Sequence, residues 1–249
     1  MTLPYTGLRL CIDQPPGEGQ TIRLTADHAN YLFRVMRLGP GDRLGVFDGQ
    51  GSDEWAAEVA ETGRRGGTLR CLAPIRPHQP PADLWLLFAP VKKARTDFIV
   101  EKATELGAAR ILPVSSEFTN AGRVNRARLA AHAREAVEQC GGTHLPEVAA
   151  LAPLGQVLEG WDGARRLMVC DEGRAGAPAA PPAAGDAAGP WAVLIGPEGG
   201  FSEAERARLS GMEAACPVSL GPRILRADTA AVAALALWQA RFGEWAAWR

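Results

Sequence analysis

Long apolar runs are missing from this 249-residue sequence; none approaches the roughly 18 residues that a membrane span needs. The opening MTLPYTGLRL also lacks the basic-then-apolar order of an export signal. The chain is therefore expected to stay in the cytoplasm, with no membrane partner. Paired cysteines are missing as well. Cys11, Cys71, Cys140, Cys170 and Cys216 are scattered, odd in number and never spaced C-x-x-C. That argues against a disulfide framework and a zinc site, and suits small apolar fillers in a reducing compartment. His28, His78, His132 and His144 are equally dispersed, and no metal is expected. A G-x-S-x-G elbow is absent, which leaves a hydrolase without support. Nor is there a basic excess: 27 Lys and Arg stand against 28 Asp and Glu, a net charge of -1. Any RNA contact then has to come from a local patch. One exists at FTNAGRVNRARLAAHAR (118–134), with four arginines and no acid.

What is present is ordinary globular composition, 47% apolar and 22% charged, at a length comfortable for two domains. Residues 1–75 read as a small, mostly β, barrel-like domain. TIRL (21–24), DRLGVF (42–47), EWAAEV (54–59) and TLRCLAPI (68–75) are its strand candidates. Turns fall at Gly39-Pro40-Gly41, Asp48-Gly49-Gln50-Gly51 and Gly66-Gly67. One helix interrupts them, capped by Thr25, with Tyr31, Leu32, Val35 and Leu38 on its inner face and Arg34 and Arg37 together on an outer one. The Pro-rich IRPHQPPAD (75–83) marks the boundary, and residues 76–249 form the second domain. There LWLLFA (84–89), RILPV (110–114), RLMVC (166–170) and WAVLI (191–195) are continuous apolar strands of the kind buried on both faces. They alternate with helices at 94–107, stopped by Gly107, and at 126–140. That rhythm predicts an α/β fold with a largely parallel sheet and helices on both faces. RAGAPAAPPAAGDAAGP (174–190) reads as an exposed loop without chemistry.

Two glycine-rich strand ends carry the chemistry. WAVLIGPEGGFSEAE (191–205) runs from a buried strand into Gly196-Pro197-Glu198-Gly199-Gly200, then into a helix opened by Ser202 and Glu205 at capping-box spacing. Such glycines let a ligand approach the backbone at the sheet edge where open α/β folds bind ligands. A tight turn without a ligand is the plainer alternative. The loop is neither a G-x-G-x-x-G fingerprint nor a P-loop. PVSLGPRILRADTAAVAALALWQARFG (217–243) repeats the pattern with Gly221-Pro222, then Arg223-Ile224-Leu225-Arg226. The helix that follows from about Asp228 is so evenly apolar that burial is expected, against the fold or a second subunit. Arg223 and Arg226 either form surface ion pairs with Asp228 or Glu198 or reach a pocket where both loops converge. The pocket is favoured.

LIGPEGGFSEAE followed by LGPRILRADTA resembles the paired signature of the RsmE family of ribosomal RNA methyltransferases, a branch of the knotted SPOUT class. The likeness continues through APVKKARTDFIVEKATELGAARILPV (89–114), EAVEQC (135–140), HANYLFRVMRLGPGD (28–42) and ARFGE (240–244). The resemblance implies a PUA-like RNA-binding β-barrel domain ahead of a SPOUT-type α/β domain whose C-terminal segments form a trefoil knot. It implies a homodimer that uses S-adenosyl-L-methionine to methylate uridine N3 in small-subunit ribosomal RNA, free or assembled. On this chain the cofactor would lie on Leu194, Gly196, Pro197, Gly199, Gly200, Leu220, Gly221, Ile224 and Leu225. Arg226 and Glu198 would act at the reacting base, with RNA contacts from Arg34, Arg37, Lys92, Lys93, Arg95, Arg123 and Arg126. Three positions depart from family habit. Asp228 stands where Glu is usual, Gly142-Thr143-His144 where Arg usually follows EQC, and Phe118 where Arg usually follows Ser116-Glu117. The last two remove positive charge from a presumed RNA face.

Uridine N3 carries a proton, and as it leaves, charge spreads onto O2 and O4. A fixed Arg226 guanidinium would stabilise that charge more in the transition state than in the ground state. Glu198 or Asp228 serves as base if burial raises its pKa. Otherwise Glu198 caps backbone amides and Asp228 N-caps the last helix, the role favoured for Asp228. Two other readings stay open on sequence: a transfer-RNA base or ribose methyltransferase of the same class, and a non-catalytic RNA-binding assembly factor.

Overall fold

The computed structural model describes residues 7–171 and 189–248, in two compact units. The first runs to Pro80 and includes Val137–Leu145. Its five strands pair in the order β1 (Arg9–Cys11), β3 (Arg43–Phe47), β4 (Glu54–Gly63), β5 (Gly66–Arg76), β2 (Thr21–Arg23). All pairings are antiparallel except β1 with β3. Alternation in the strands turns Leu44, Val46, Ala57, Val59, Leu69 and Cys71 into one core with Leu10, Ile22 and Leu32. Three register shifts between β4 and β5 curl the hairpin. Gly66 and Gly67, expected at its turn, instead begin β5. Space rather than turning demands Gly67: a Cβ there would run into the Phe33 ring and the Glu61 carbonyl.

Thr25 caps α1 (Ala26–Ala29), its hydroxyl accepting from the His28 N–H. The chain then widens into a π-helical segment, Asn30–Val35. The longer turn breaks the expected 3.6-residue face: Leu32 is fully buried while Val35 is 61% exposed. Arg37 lies past the helix in the left-handed region, at φ 61°. Arg34 and Arg37 are both exposed but do not share a helical face.

The segment 137–145 is fastened by a buried ion cluster. The Arg9 guanidinium donates to Glu54 and to the carbonyls of Val137, Glu138 and Gly142, and Arg76 donates to the same Glu54. Thr143 is 3% exposed, and its hydroxyl accepts from the Gln79 N–H. Gly142-Thr143-His144, read from sequence as part of an RNA face, thus has a structural task in the interior of this unit.

In the second unit every strand is parallel, in the order β12 (Ala215–Val218), β10 (Arg166–Cys170), β11 (Trp191–Ile195), β6 (Leu84–Phe88), β7 (Arg110–Ser115), β8 (Glu147–Val148), with β9 (Ala152–Pro153) on β7. The apolar strand runs are explained by burial on both faces; all five residues of β11 are buried. Helices α2 (Lys93–Glu105), α3 (Arg126–Cys140), α4 (Leu154–Glu159), α5 (Glu203–Ser210) and α6 (Ala227–Arg241) complete the elements. Helix α6 packs on α2 and β11. Its N-cap is Arg226, not Asp228. Asp228 sits in the first turn, where a carboxylate is favoured by the helix dipole and accepts from the Thr229 N–H. Ala230, Ala231, Ala234, Leu235 and Trp238 of α6 are buried, but Val232, Ala233, Ala236 and Leu237 are only half-buried. Just beyond α6, Phe242 stacks on Trp191. The Ala/Pro/Gly loop at 174–190 lies, but for its last two residues, outside the described residues.

Candidate active site

Parallel strands present all their carboxyl ends at one sheet edge, and loops leaving that edge in different directions open a crevice. A cavity of about 250 Å3 lies there, at the ends of β12, β10 and β11. Gly196, Pro197, Gly200, Leu220, Gly221, Ile224 and Leu225 line it, together with Glu198, Arg223 and Arg226. Leu194 does not; it is fully buried in the sheet core. Gly199 faces away as well, toward Phe118, whose Cβ lies 3.2 Å from where a Gly199 side chain would begin. Cys170, Asp171, Phe201, Val218, Ala227 and Ala230 also line the cavity and went unread in the sequence. For Cys170 and Asp171 the signal was available, because RLMVC reads as a parallel strand whose end must reach the same edge.

The 196–200 loop is braced from several sides. Gly200 takes φ +69° and its N–H donates to the Pro197 carbonyl. Phe201, 2% exposed, lies against Gly196, so closely that a Cβ there would sit 3.0 Å from the ring. The expected capping box follows: Ser202 Oγ accepts from the Glu205 N–H, and Glu205 Oε2 accepts from the Ser202 N–H. Glu205 Oε1 also accepts from the Glu117 N–H at 2.9 Å.

Arg95 of α2 ties the two loops electrostatically. Its guanidinium donates to Glu198, and its Nε lies 3.8 Å from Asp228 Oδ2. The ion pairs considered for Arg223 and Arg226 therefore belong to Arg95. Arg223 and Arg226 are exposed and have no partner among the described residues. Glu198 is 47% exposed, so the burial on which its role as base was conditioned is absent. Below the loops, Asp171 is held by two hydrogen bonds from Arg206, at 2.7 and 3.1 Å. Burial pushes the Cys170 thiol up to about 12, which makes it an apolar wall rather than a thiolate.

The cavity fits an extended organic ligand that needs close backbone approach. Gly221 adopts φ +111° with nothing within 4 Å of a would-be Cβ, an open position that a side chain would fill. Elsewhere in this unit Lys92, Lys93 and Arg123 are exposed. Arg126 donates through Nε to the Val148 carbonyl at 2.8 Å, and Arg128 pairs with Asp97. Arg126 and Arg128 of the four-arginine patch thus have structural partners. Among the described residues no His, Cys, Asp and Glu group is arranged to hold a metal, and no helix is long and apolar enough to cross a membrane.

The chain thus joins a small β unit to a parallel α/β unit whose looped strand ends open a ligand cavity. The family model described as RNA methyltransferase domain matches residues 78–239, and that described as RNA methyltransferase PUA domain matches residues 24–70. The chain is 33% identical to the ribosomal RNA small subunit methyltransferase E of Synechocystis, over 87% of this chain and 72% of that protein. It is similar to the crystal structure of a ribosomal RNA small subunit methyltransferase E from Neisseria gonorrhoeae bound to S-adenosyl methionine, with 27% identity, a TM-score of 0.83, and 95% and 98% of the two chains covered. A Legionella pneumophila methyltransferase solved with SAM aligns at 25% identity and a TM-score of 0.80, over 97% and 100% of the chains. The chain belongs to the ribosomal RNA small subunit methyltransferase E family.

Proposed function

We propose that this protein transfers the methyl group of S-adenosyl-L-methionine to N3 of a uridine in small-subunit ribosomal RNA, as a cytoplasmic homodimer. The observation that carries the reading is the convergence of both glycine loops and Arg226 on one cavity at the carboxyl edge of the parallel sheet. Gly196, Pro197, Gly200, Leu220, Gly221, Ile224 and Leu225 would hold the cofactor, whose sulfonium supplies an electrophilic methyl carbon. The chain's own work is then alignment, worth several orders of magnitude in rate, and charge stabilisation. Arg226, unpaired at the cavity, meets the negative charge that spreads over O2 and O4 as N3 gives up its proton. Glu198, held by Arg95 at the mouth of the cavity, lines it without the burial that a raised pKa needs.

Arg34 and Arg37 of the β unit, and Lys92, Lys93 and Arg123 of the α/β unit, supply RNA contacts. Arg95 and Arg126, with partners of their own, contribute less. The half-buried Val232, Ala233, Ala236 and Leu237 on α6 support a homodimer that covers them. Leu237→Glu should convert the dimer to a monomer by light scattering. A trefoil knot in the C-terminal segments is what membership of the family, a branch of the SPOUT class, implies. The test is methyl transfer from labelled S-adenosyl-L-methionine to isolated small subunits, with the product nucleoside identified by mass and chromatography. 3-Methyluridine is expected. Methyl on a ribose, on another base or only on transfer RNA would contradict it.

A further inference from the structure

A second cavity, about 180 Å3, opens on the same sheet edge at the ends of β6, β7 and β11. Val91 and Lys92 line it after β6, Phe118 and Asn120 after β7, and Pro197 and Glu198 after β11. Pro197 and Glu198 also line the first cavity, so molecules in the two would meet across that pair. We propose that the second cavity seats the reacting nucleobase, with Phe118 as its stacking face and Asn120 as the hydrogen-bond partner of its edge. The inference rests on the uridine-methylating reading above.

A ring nitrogen inside a paired, stacked helix cannot reach a methyl donor, so the target base must be turned out and held by its flat faces and polar edge. Phe118 offers such a face. Its side chain is 45% exposed, and its position is fixed by the backbone around it rather than by burial of the ring. The Ser116 N–H donates to Thr119 Oγ1 at 2.9 Å, the Thr119 N–H returns to the Ser116 carbonyl at 3.1 Å, and the Glu117 N–H is held by Glu205. Across the cavity the buried Thr96 hydroxyl fixes the other wall, accepting from the Val91 N–H and donating to its carbonyl. The Asn120 carboxamide is exposed and has no partner among the described residues. Its NH2 can donate to O2 or O4 of uracil. N3 lies between those two carbonyls, so Asn120 holding one of them leaves the other for Arg226 of the first cavity, which shares Pro197 and Glu198 with the second. Phe118 gives this wall of the cavity an apolar stacking surface rather than a charge.

Steady-state methylation of small subunits tests this. Phe118→Ala should lower kcat/KM for the RNA by about 10–100-fold, the scale of losing one base–aromatic stack. Affinity for S-adenosyl-L-methionine, read by calorimetry, should be unchanged. The loss should be equal at low and high salt, unlike that of a phosphate-binding side chain. Phe118→Trp should restore most of the activity and Phe118→Leu, apolar but without a π face, should not. Asn120→Ala should cost several-fold. Equal activity of the Trp and Leu variants, or wild-type kcat/KM in both Phe118→Ala and Asn120→Ala, would overturn the base site. A wild-type chain that binds the cofactor yet methylates no ribosomal RNA would overturn the function reading beneath it.

Discussion

The two glycine loops look alike in sequence, each a strand running into Gly-Pro and then a helix, yet they are built differently. The 196–200 loop has a buried proline, Phe201 beneath it, a full capping box and Arg95 gripping Glu198. The 219–226 loop has a hydrogen bond from the Gly221 N–H to Ser219 Oγ at 3.2 Å, no side-chain cap on its helix, and Ile224 left 69% exposed. One loop is fixed in advance, as a cradle for a donor should be, because every degree of misalignment is charged to the rate. The other leaves Arg223 and Arg226 exposed and without partners among the described residues, which suits the role at the reacting base proposed for Arg226.

Breaking the second loop's chemistry should give the largest effect. Arg226→Ala should lower the single-turnover methylation rate by roughly 10²–10³, the loss typical of one oxyanion-type donor, with cofactor affinity within about twofold. Arg226→Lys should recover part of it, since an ammonium lacks the guanidinium's planar fork. Raising the pH should partly rescue the Ala variant by ionising N3 without help. Loss of RNA affinity that shrinks at low salt, with no pH rescue, would make Arg226 a phosphate contact instead. Arg95→Gln removes the bond between the loops. The pair is partly exposed and its stabilisation is about 0.2–1 kcal/mol, so cofactor affinity should fall only a few-fold, with a weaker salt dependence than wild type. Ser202→Ala loosens only the brace of the first loop and should cost about 1 kcal/mol of stability, seen as a lower melting temperature with near-normal turnover. The smallest effect near neutrality concerns Cys170. Its folded thiol keeps a proton that the unfolded chain releases at about 9, so stability is whole below pH 9 and is lost as pH climbs toward 12. Cys170→Ala should flatten that alkaline slope in chemical denaturation.

Much of the fold was legible because its strands are of two clear kinds. The alternating strands of the β unit and the uniform apolar runs of the parallel sheet were found in place, as were the caps at Thr25, Ser202 and Gly107. What escaped depended on tertiary context. Strand β1 is three residues long, too short for a periodic signal, and the burial of Arg9 follows from partners 45 and more residues away. The π-helical widening at Asn30–Val35 moved Val35 outward, which a 3.6-residue template cannot anticipate. At the site, both glycine loops and Arg226 were readable from local chemistry. The clasp on Arg95 was not, because it joins residues more than 100 positions apart.

The account stands on the two glycine loops forming one cofactor site, and calorimetric titration of S-adenosyl-L-methionine into the wild-type chain and Gly221→Val tests that most directly. Gly221 holds φ +111° at an open edge of the cavity, a conformation that a β-branched residue resists strongly. The expected result is one binding event per chain in the wild type and none measurable in the variant, with both folded by circular dichroism. Equal affinity in a folded Gly221→Val would contradict it, and would place the cofactor away from the second loop.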